Sequence, residues 1–163
     1  MSFDLFLVTF RNGNKATAEA TAAREVLERT RYDHRPEFDA YDVSFDDGSS
    51  VEMYVGGLHG GDKPFEGGMF ALRGFSGPIG SFIFDFARAA GCVIFPAMEP
   101  ACVLLPRSDL AAHLPTDLSE DFQRIQVASG AELLAALNGG YDAWRAYRDH
   151  VFRQSGASPA SGT

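Results

Sequence analysis

The chain has 163 residues, 45% of them apolar and 22% charged, with a formal net charge of −8. That is enough chain for one domain with its own core, in the composition range of ordinary globular proteins. No run of 18 apolar residues occurs, which excludes a membrane-spanning helix of the usual kind.

Residues 3–10 read as a strand. Phe3, Leu5 and Leu7 alternate with Phe6, Val8 and Phe10, so both faces are apolar and the strand should be central in a sheet. With Asp4 and no basic leader, this start does not read as a signal peptide, and the expected location is the cytoplasm. Asn12-Gly13-Asn14 is a turn, and Asn14 is expected to cap a helix from Lys15 to Arg29 that carries Ala16, Ala20, Ala23 and Leu27 on one face. The polar stretch from Thr30 to Pro36 ends that helix.

A hairpin follows. Tyr41, Val43 and Phe45 alternate with Asp42, Ser44 and Asp46; after the turn, Val51, Met53 and Val55 alternate with Ser50, Glu52 and Tyr54. A two-residue turn at Asp47-Gly48 would split the two apolar rows between opposite faces. A three-residue loop, Asp46-Asp47-Gly48 with Gly48 left-handed, pairs Val43 with Val51 and Tyr41 with Met53, and makes one face apolar. This register leaves Asp42, Asp46, Asp47 and Glu52 in solvent.

Residues 56–68 hold six glycines and one proline and are expected to form a loop, with a strand from Met69 to Arg73 after it. Ile79, Phe82, Ile83, Phe86 and Ala90 form one stripe of a buried helix that Gly91 stops. Cys92 to Phe95 and Ala101 to Leu105 are short apolar strands. Their cysteines would face one another if the connection were symmetric about Ala97, but in a reducing compartment they are read as free thiols. A short helix is expected over 108–113 with Ser108 as its cap, then a strand at Gln123, Ile125 and Val127. Ser129 to Glu132 is a capping box that opens another helix. Tyr141, Trp144, Tyr147 or Arg148, and Val151 carry a second stripe.

These elements run β-α-β-β-β-α-β-β-α-β-α. The expectation is an α+β fold, with a mixed or mainly antiparallel sheet of about six or seven strands and helices packed on one face. Residues 1–153 form one domain and 154–163 a disordered tail.

The charge is concentrated. Between Glu37 and Glu66 there are eight acids (Glu37, Asp39, Asp42, Asp46, Asp47, Glu52, Asp62, Glu66) and one base, Lys63; elsewhere fourteen acids meet thirteen bases. The resulting −7 over thirty residues would repel phosphates, so nucleic acid is not an expected partner of that surface.

The leading expectation is a non-enzymatic binding protein of the immunity or antitoxin kind. It would dock a basic protein on Asp42, Asp46, Asp47 and Glu52, with Tyr54 as an aromatic anchor. The glycine-rich loop, with His59, Asp62, Lys63 and Glu66, is a possible ligand loop. Its alternative role is a metal-assisted site at His59 and Asp62, although no second His or Cys lies near in sequence. The other alternative is a small hydrolase. Gly74-Phe75-Ser76-Gly77-Pro78 sits at a strand-to-helix junction, where Ser76 would act as nucleophile with a histidine or else cap the helix. No cofactor and no membrane association are expected, and the oligomeric state is open.

The opening from Ser2 to Gly13, the run from Ala87 to Pro96, the segment Ala112-His-Leu-Pro115 and Ser129 to Leu134 resemble a family of small bacterial proteins of unknown function. That resemblance implies a bacterial, cytoplasmic protein and carries no catalytic residue across.

Overall fold

A computed structural model describes residues 2–98, 101–118, 122–139 and 153. In chain order it holds β1 (Phe3–Val8), β2 (Phe10–Arg11), β3 (Asn14–Lys15), α1 (Ala20–Glu28), β4 (Arg31–Arg35), β5 (Ala40–Ser44), β6 (Ser50–Tyr54), β7 (Gly67–Leu72), α2 (Gly77–Ala90), β8 (Val93–Pro96), β9 (Cys102–Leu105) and β10 (Gln123–Gln126). A helix, α3, follows over 130–139.

Eight strands make one mixed sheet in the order β10-β9-β8-β1-β7-β6-β5-β4, with β2 and β3 as a separate small ladder. Neighbouring strands of the large sheet are antiparallel except β10, which is parallel to β9. The fold is α+β as expected, with a larger sheet. The added strand is β4, and no apolar alternation announces Arg31-Tyr-Asp-His-Arg35. It forms because its backbone completes a ladder on β5, from Arg31 opposite Ser44 to Arg35 opposite Ala40. The polar stretch read as a helix terminator is an edge strand, and its charges suit that position.

α1 begins at Ala20, five residues later than expected, and Asn14 does not cap it. Asn12 and Gly13, at φ 51° and 84°, instead make a two-residue turn that folds Asn14–Lys15 back on Phe10–Arg11. Asn-Gly is the strongest short hairpin signal, and here it takes five residues out of the helix. Likewise Ser108 caps nothing: residues 108–113 form a 3₁₀ helix whose flanking residue, Arg107, makes no side-chain cap.

The expected hairpin register is found, with Val43 opposite Val51 and Tyr41 opposite Met53. Gly48 sits at φ 85° in the three-residue loop, closed by Phe45 N–H to Ser49 O at 2.9 Å. The cysteines do not face each other. Ile94 pairs with Leu104, so the β8–β9 connection is centred on position 99 and Cys102 lies across from position 96. Both thiols are free and buried.

One face of the sheet carries the main core. Phe3, Leu5 and Leu7 of β1, Tyr41 and Val43 of β5, Val51 and Met53 of β6, and Phe70 and Leu72 of β7 meet α1 and α2 there. Phe70 is the hinge of that contact, its ring edge-on to Phe82 (centroids 6.0 Å apart) and Phe86 (5.8 Å). Ser76 Oγ caps α2 by accepting from Ile79 N–H, and Gly91 at φ 75° ends the helix, both as expected. On the opposite face a smaller cluster of Val93, Val103, Leu105, Leu110 and Leu114 is covered by the 3₁₀ helix. The expected second stripe on Tyr141, Trp144, Tyr147 or Arg148, and Val151, and the tail 154–163, lie outside the described residues.

α3 docks on α2 through two glycines. A Cβ at Gly80 would meet Leu134 Cγ at 2.5 Å and Gly130 O at 2.9 Å, and one at Gly130 would meet Ser81 N at 2.6 Å. Its start is held by Glu132 N–H to Ser129 Oγ at 3.1 Å and by Ala128 N–H to the Glu132 carboxylate at 2.6 Å. Gly80→Ala should therefore cost about 1–3 kcal/mol in urea unfolding, through overpacking. Gly77→Ala, whose Cβ would point into open space, should cost nothing. Equal midpoints for the two variants would contradict this packing.

Candidate functional site

Pairing fixes what the second face of the sheet presents. On β4 to β7 and β1, the residues between the core positions point away from the helices: Arg31, Asp33 and Arg35; Ala40, Asp42 and Ser44; Ser50, Glu52 and Tyr54; Met69 and Ala71; Asp4 and Phe6. Among the described residues no helix lies over this part of the sheet. Phe6 is 44% exposed, an uncommon state for phenylalanine on a strand at the centre of a sheet.

The structure brings Asp42, Glu52 and Tyr54 together here. Asp42 lies directly opposite Glu52, and the Tyr54 hydroxyl donates to Glu52 Oε2 at 2.6 Å. That hydrogen bond, then burial and the Glu52 charge, raise the Tyr54 pKa above its ordinary value. Asp46 and Asp47 stand apart, in the hairpin loop. Asp47 accepts from Ser49 N–H at 2.9 Å and from Ser49 Oγ, and these bonds lower its pKa. Asp47 thus stiffens its own turn.

The arginines on this face come from outside the acidic stretch. Arg35 reaches Asp42 at 3.1 Å, Arg73 reaches Glu52 at 3.2 Å, and Arg31 lies 3.9 Å from Asp46. Residues 37–66 alone count −7, but in space three arginines from β4 and the end of β7 fold onto them. The six carboxylates on this face and its hairpin loop (Asp4, Asp33, Asp42, Glu52, Asp46, Asp47) meet three arginines, so the surface remains negative by three charges. Asp33 and Asp4 make no ion pair among the described residues.

The loop between β6 and β7 is tied down. Leu58 and Phe65 are buried in the core, Arg24 donates to Leu58 O at 3.0 Å, Ala18 N–H donates to Phe65 O at 2.7 Å, and Lys63 pairs with Asp39 at 3.0 Å. Two of its glycines answer to close backbone approach: a Cβ at Gly57 would strike Lys63 O at 2.5 Å, and one at Gly68 would strike Tyr54 O. Asp62 and Glu66 are exposed and do not join His59. His59 Nδ1 and the Tyr41 hydroxyl are instead hydrogen-bonded at 2.7 Å, and His59 Nε2 lies 3.8 Å from Glu28. His34 packs against both rings, 4.2 Å from the Tyr41 ring and near-parallel to it, and 5.5 Å from His59. Nothing in the chain order of Glu28, His34, Tyr41 and His59 indicates this cluster, because it depends on β4, which the sequence does not reveal. Among the described residues no three His, Cys, Asp or Glu side chains are arranged to hold a metal ion.

Ser76 has two partners, Ile79 N–H at 3.3 Å and Ser49 Oγ at 2.9 Å, and Ser49 in turn contacts Asp47. The geometry is that of a cap tied to a turn. Among the described residues no histidine is a hydrogen-bond partner of Ser76.

No protein-family model, no curated protein and no solved structure matches this chain. Among the described residues, the fold is that of an α+β protein with one sheet face covered by helices and no helix over the other from β6 to β1. No helix among the described residues is long and apolar enough to cross a membrane.

Burial, followed by the charges of Tyr32, Asp39 and Glu28, pushes the Tyr41 hydroxyl up to about 12. Its ordinary value is 10.0, so above that pH the unfolded chain loses this proton first. The associated stability is fully present below pH 10 and is lost as the pH rises towards about 12. Burial of Cys92, raised to about 11, adds a loss of the same sign. Denaturant unfolding between pH 9 and 12 should accordingly show a shallower decline for Tyr41→Phe than for the wild type. Parallel declines would mean that Tyr41 ionises normally.

Proposed function

We propose that this chain is a non-enzymatic protein-binding module that docks a basic partner on the bare face of its sheet. The observation that carries the proposal is the row Asp33, Asp42, Glu52 and Asp4, contributed by four different strands to one surface over which no helix lies among the described residues. Asp46 and Asp47 extend the negative surface at the hairpin loop, and Tyr54 supplies the aromatic contact.

The arginine pairs on this face are compatible with docking. Exposed ion pairs in water contribute little to stability and exchange easily. A cationic side chain of a partner can share Asp42 or Glu52 with the resident arginine, or take Asp33 and Asp4, which have none. The net negative surface speeds encounter with a basic molecule and disfavours acidic ones. An immunity or antitoxin protein is one form such a module takes.

The test is capture from lysate on immobilised chain at low and high salt, about 0.05 M and 0.5 M, which shortens the screening length from roughly 14 Å to 4 Å. Wild-type chain should retain a basic protein at low salt only. The variant Asp33→Asn, Asp42→Asn, Glu52→Gln should lose it while keeping its thermal midpoint within a few degrees. Identical capture by wild type and variant would refute the proposal.

A further inference from the structure

Resting on the reading of the bare face as a docking surface, the chemistry of that face also limits what shape the partner can have. Two rows run across the strands. The acidic one follows the pairing Asp33, Asp42, Glu52, Ala71, Asp4. The second lies two residues further along each strand and follows Ala40, Tyr54, Met69, Phe6, Phe95. This row is open to solvent at Tyr54, whose hydroxyl is held by Glu52, and at Met69 and Phe6; Ala40 is fully buried and Phe95 packs into the smaller cluster. The row is bounded by Arg35 opposite Ala40 at one end, and by Phe10 and Phe122 against Phe95 at the other. Its centre is Phe6, the most exposed apolar side chain of the large sheet. A shallow depression of ≈ 340 Å³ lined by Phe6, Val8, Lys63 and Gly67 continues from it.

Strands lie about 4.8 Å apart and residues two apart on a strand about 6.8 Å. The acidic row is therefore about 19 Å long, the open part of the second row about 10 Å, and the two are about 7 Å apart. We infer that the partner presents an amphipathic α-helix lying along these rows, its apolar stripe on Tyr54, Met69 and Phe6 and a neighbouring stripe of Lys or Arg on the carboxylates.

The spacing selects the helix. Side chains on one helical stripe recur every turn, about 5.4 Å, close to one per strand. On an extended peptide, same-side residues recur at about 6.8 Å and fall out of step with the rows within three contacts. At about 1.5 Å rise per residue, the unpaired Asp33 and Asp4 at the two ends call for cations about twelve or thirteen positions apart. The apolar stripe needs residues at i, i+3 or i+4, and i+7. A second copy of the same face is disfavoured as occupant, because it would set a carboxylate row against a carboxylate row.

Three synthetic helical peptides test this against the full-length, isotope-labelled chain, followed by backbone amide shifts. One carries a leucine stripe flanked by lysines, the second has the same composition scrambled to remove the stripe, and the third has glutamate for lysine. The striped basic peptide should bind saturably, with shifts on β1 and β5 to β7, at least tenfold more tightly than the scrambled one. The acidic peptide should not bind. Phe6→Ser and, separately, Met69→Thr should each erase the tenfold preference of the striped over the scrambled peptide; two variants guard against one failing to fold.

Equal binding of striped and scrambled peptides would overturn the helix while leaving electrostatic docking intact. So would failure of all three peptides in a chain that still captures a basic protein from lysate. Failure of both peptide binding and capture would remove both readings. Concentration-dependent self-association lost in Phe6→Ser would identify a second copy as the occupant and refute the helix.

Discussion

Phe70 decides which side of this protein faces water. Its ring is wedged edge-on between Phe82 and Phe86, so α2 must lie over β7 on that side. Antiparallel pairing then carries the choice outward. Phe70 is paired with Leu5 of β1 and Met53 of β6, and Met53 with Tyr41 of β5, all of them buried beneath the helices. Every residue between these positions is turned to the other face. The carboxylates of Asp4, Asp42 and Glu52 share a surface because the period of a strand is two and one face has already been taken.

Elements with strong local patterns were legible in the sequence. The stripe from Ile79 to Ala90 between a serine cap and a left-handed glycine, the hairpin around Gly48 and the central placement of residues 3–8 follow from periodicity and turn chemistry alone. Other elements depended on partners distant in sequence. Arg31–Arg35 is a strand only because β5 is beside it, and Asn14–Lys15 pairs back on Phe10–Arg11 where helix propensity suggested a first turn. Centring the β8–β9 connection on 99 instead of 97 separates the two cysteines, a difference of register that no local signal sets.

The candidate site divides in the same way. Asp42, Glu52 and Tyr54 could be placed together once the hairpin register was chosen. Their neighbours across the sheet, Asp33, Met69, Asp4 and Phe6, needed the strand order. The arginines are the instructive case. Counting charge along the chain isolates residues 37–66 from Arg31, Arg35 and Arg73, whereas strand pairing sets those three against Asp46, Asp42 and Glu52. A charge window along the chain measures a surface only when neighbours in sequence are neighbours on it. The glycine-rich loop shows the converse: composition indicated only an irregular loop, and the structure uses Gly57 and Gly68 to let backbones touch, with Leu58 and Phe65 as its anchors.

The claim on which the account depends is that, among the described residues, helices cover one face of the sheet and leave the other open from β6 to β1. Two methionines on neighbouring strands report the two faces: Met53, opposite Phe70, is fully buried under the helices, and Met69, opposite Tyr54, points to the other side. Peroxide oxidation of the native chain, with sulfoxides located by peptide mass spectrometry, measures that difference directly. The account predicts rapid conversion of Met69 and protection of Met53 until the chain unfolds. Protection of Met69 equal to that of Met53 would mean the second face is covered, and would contradict the account.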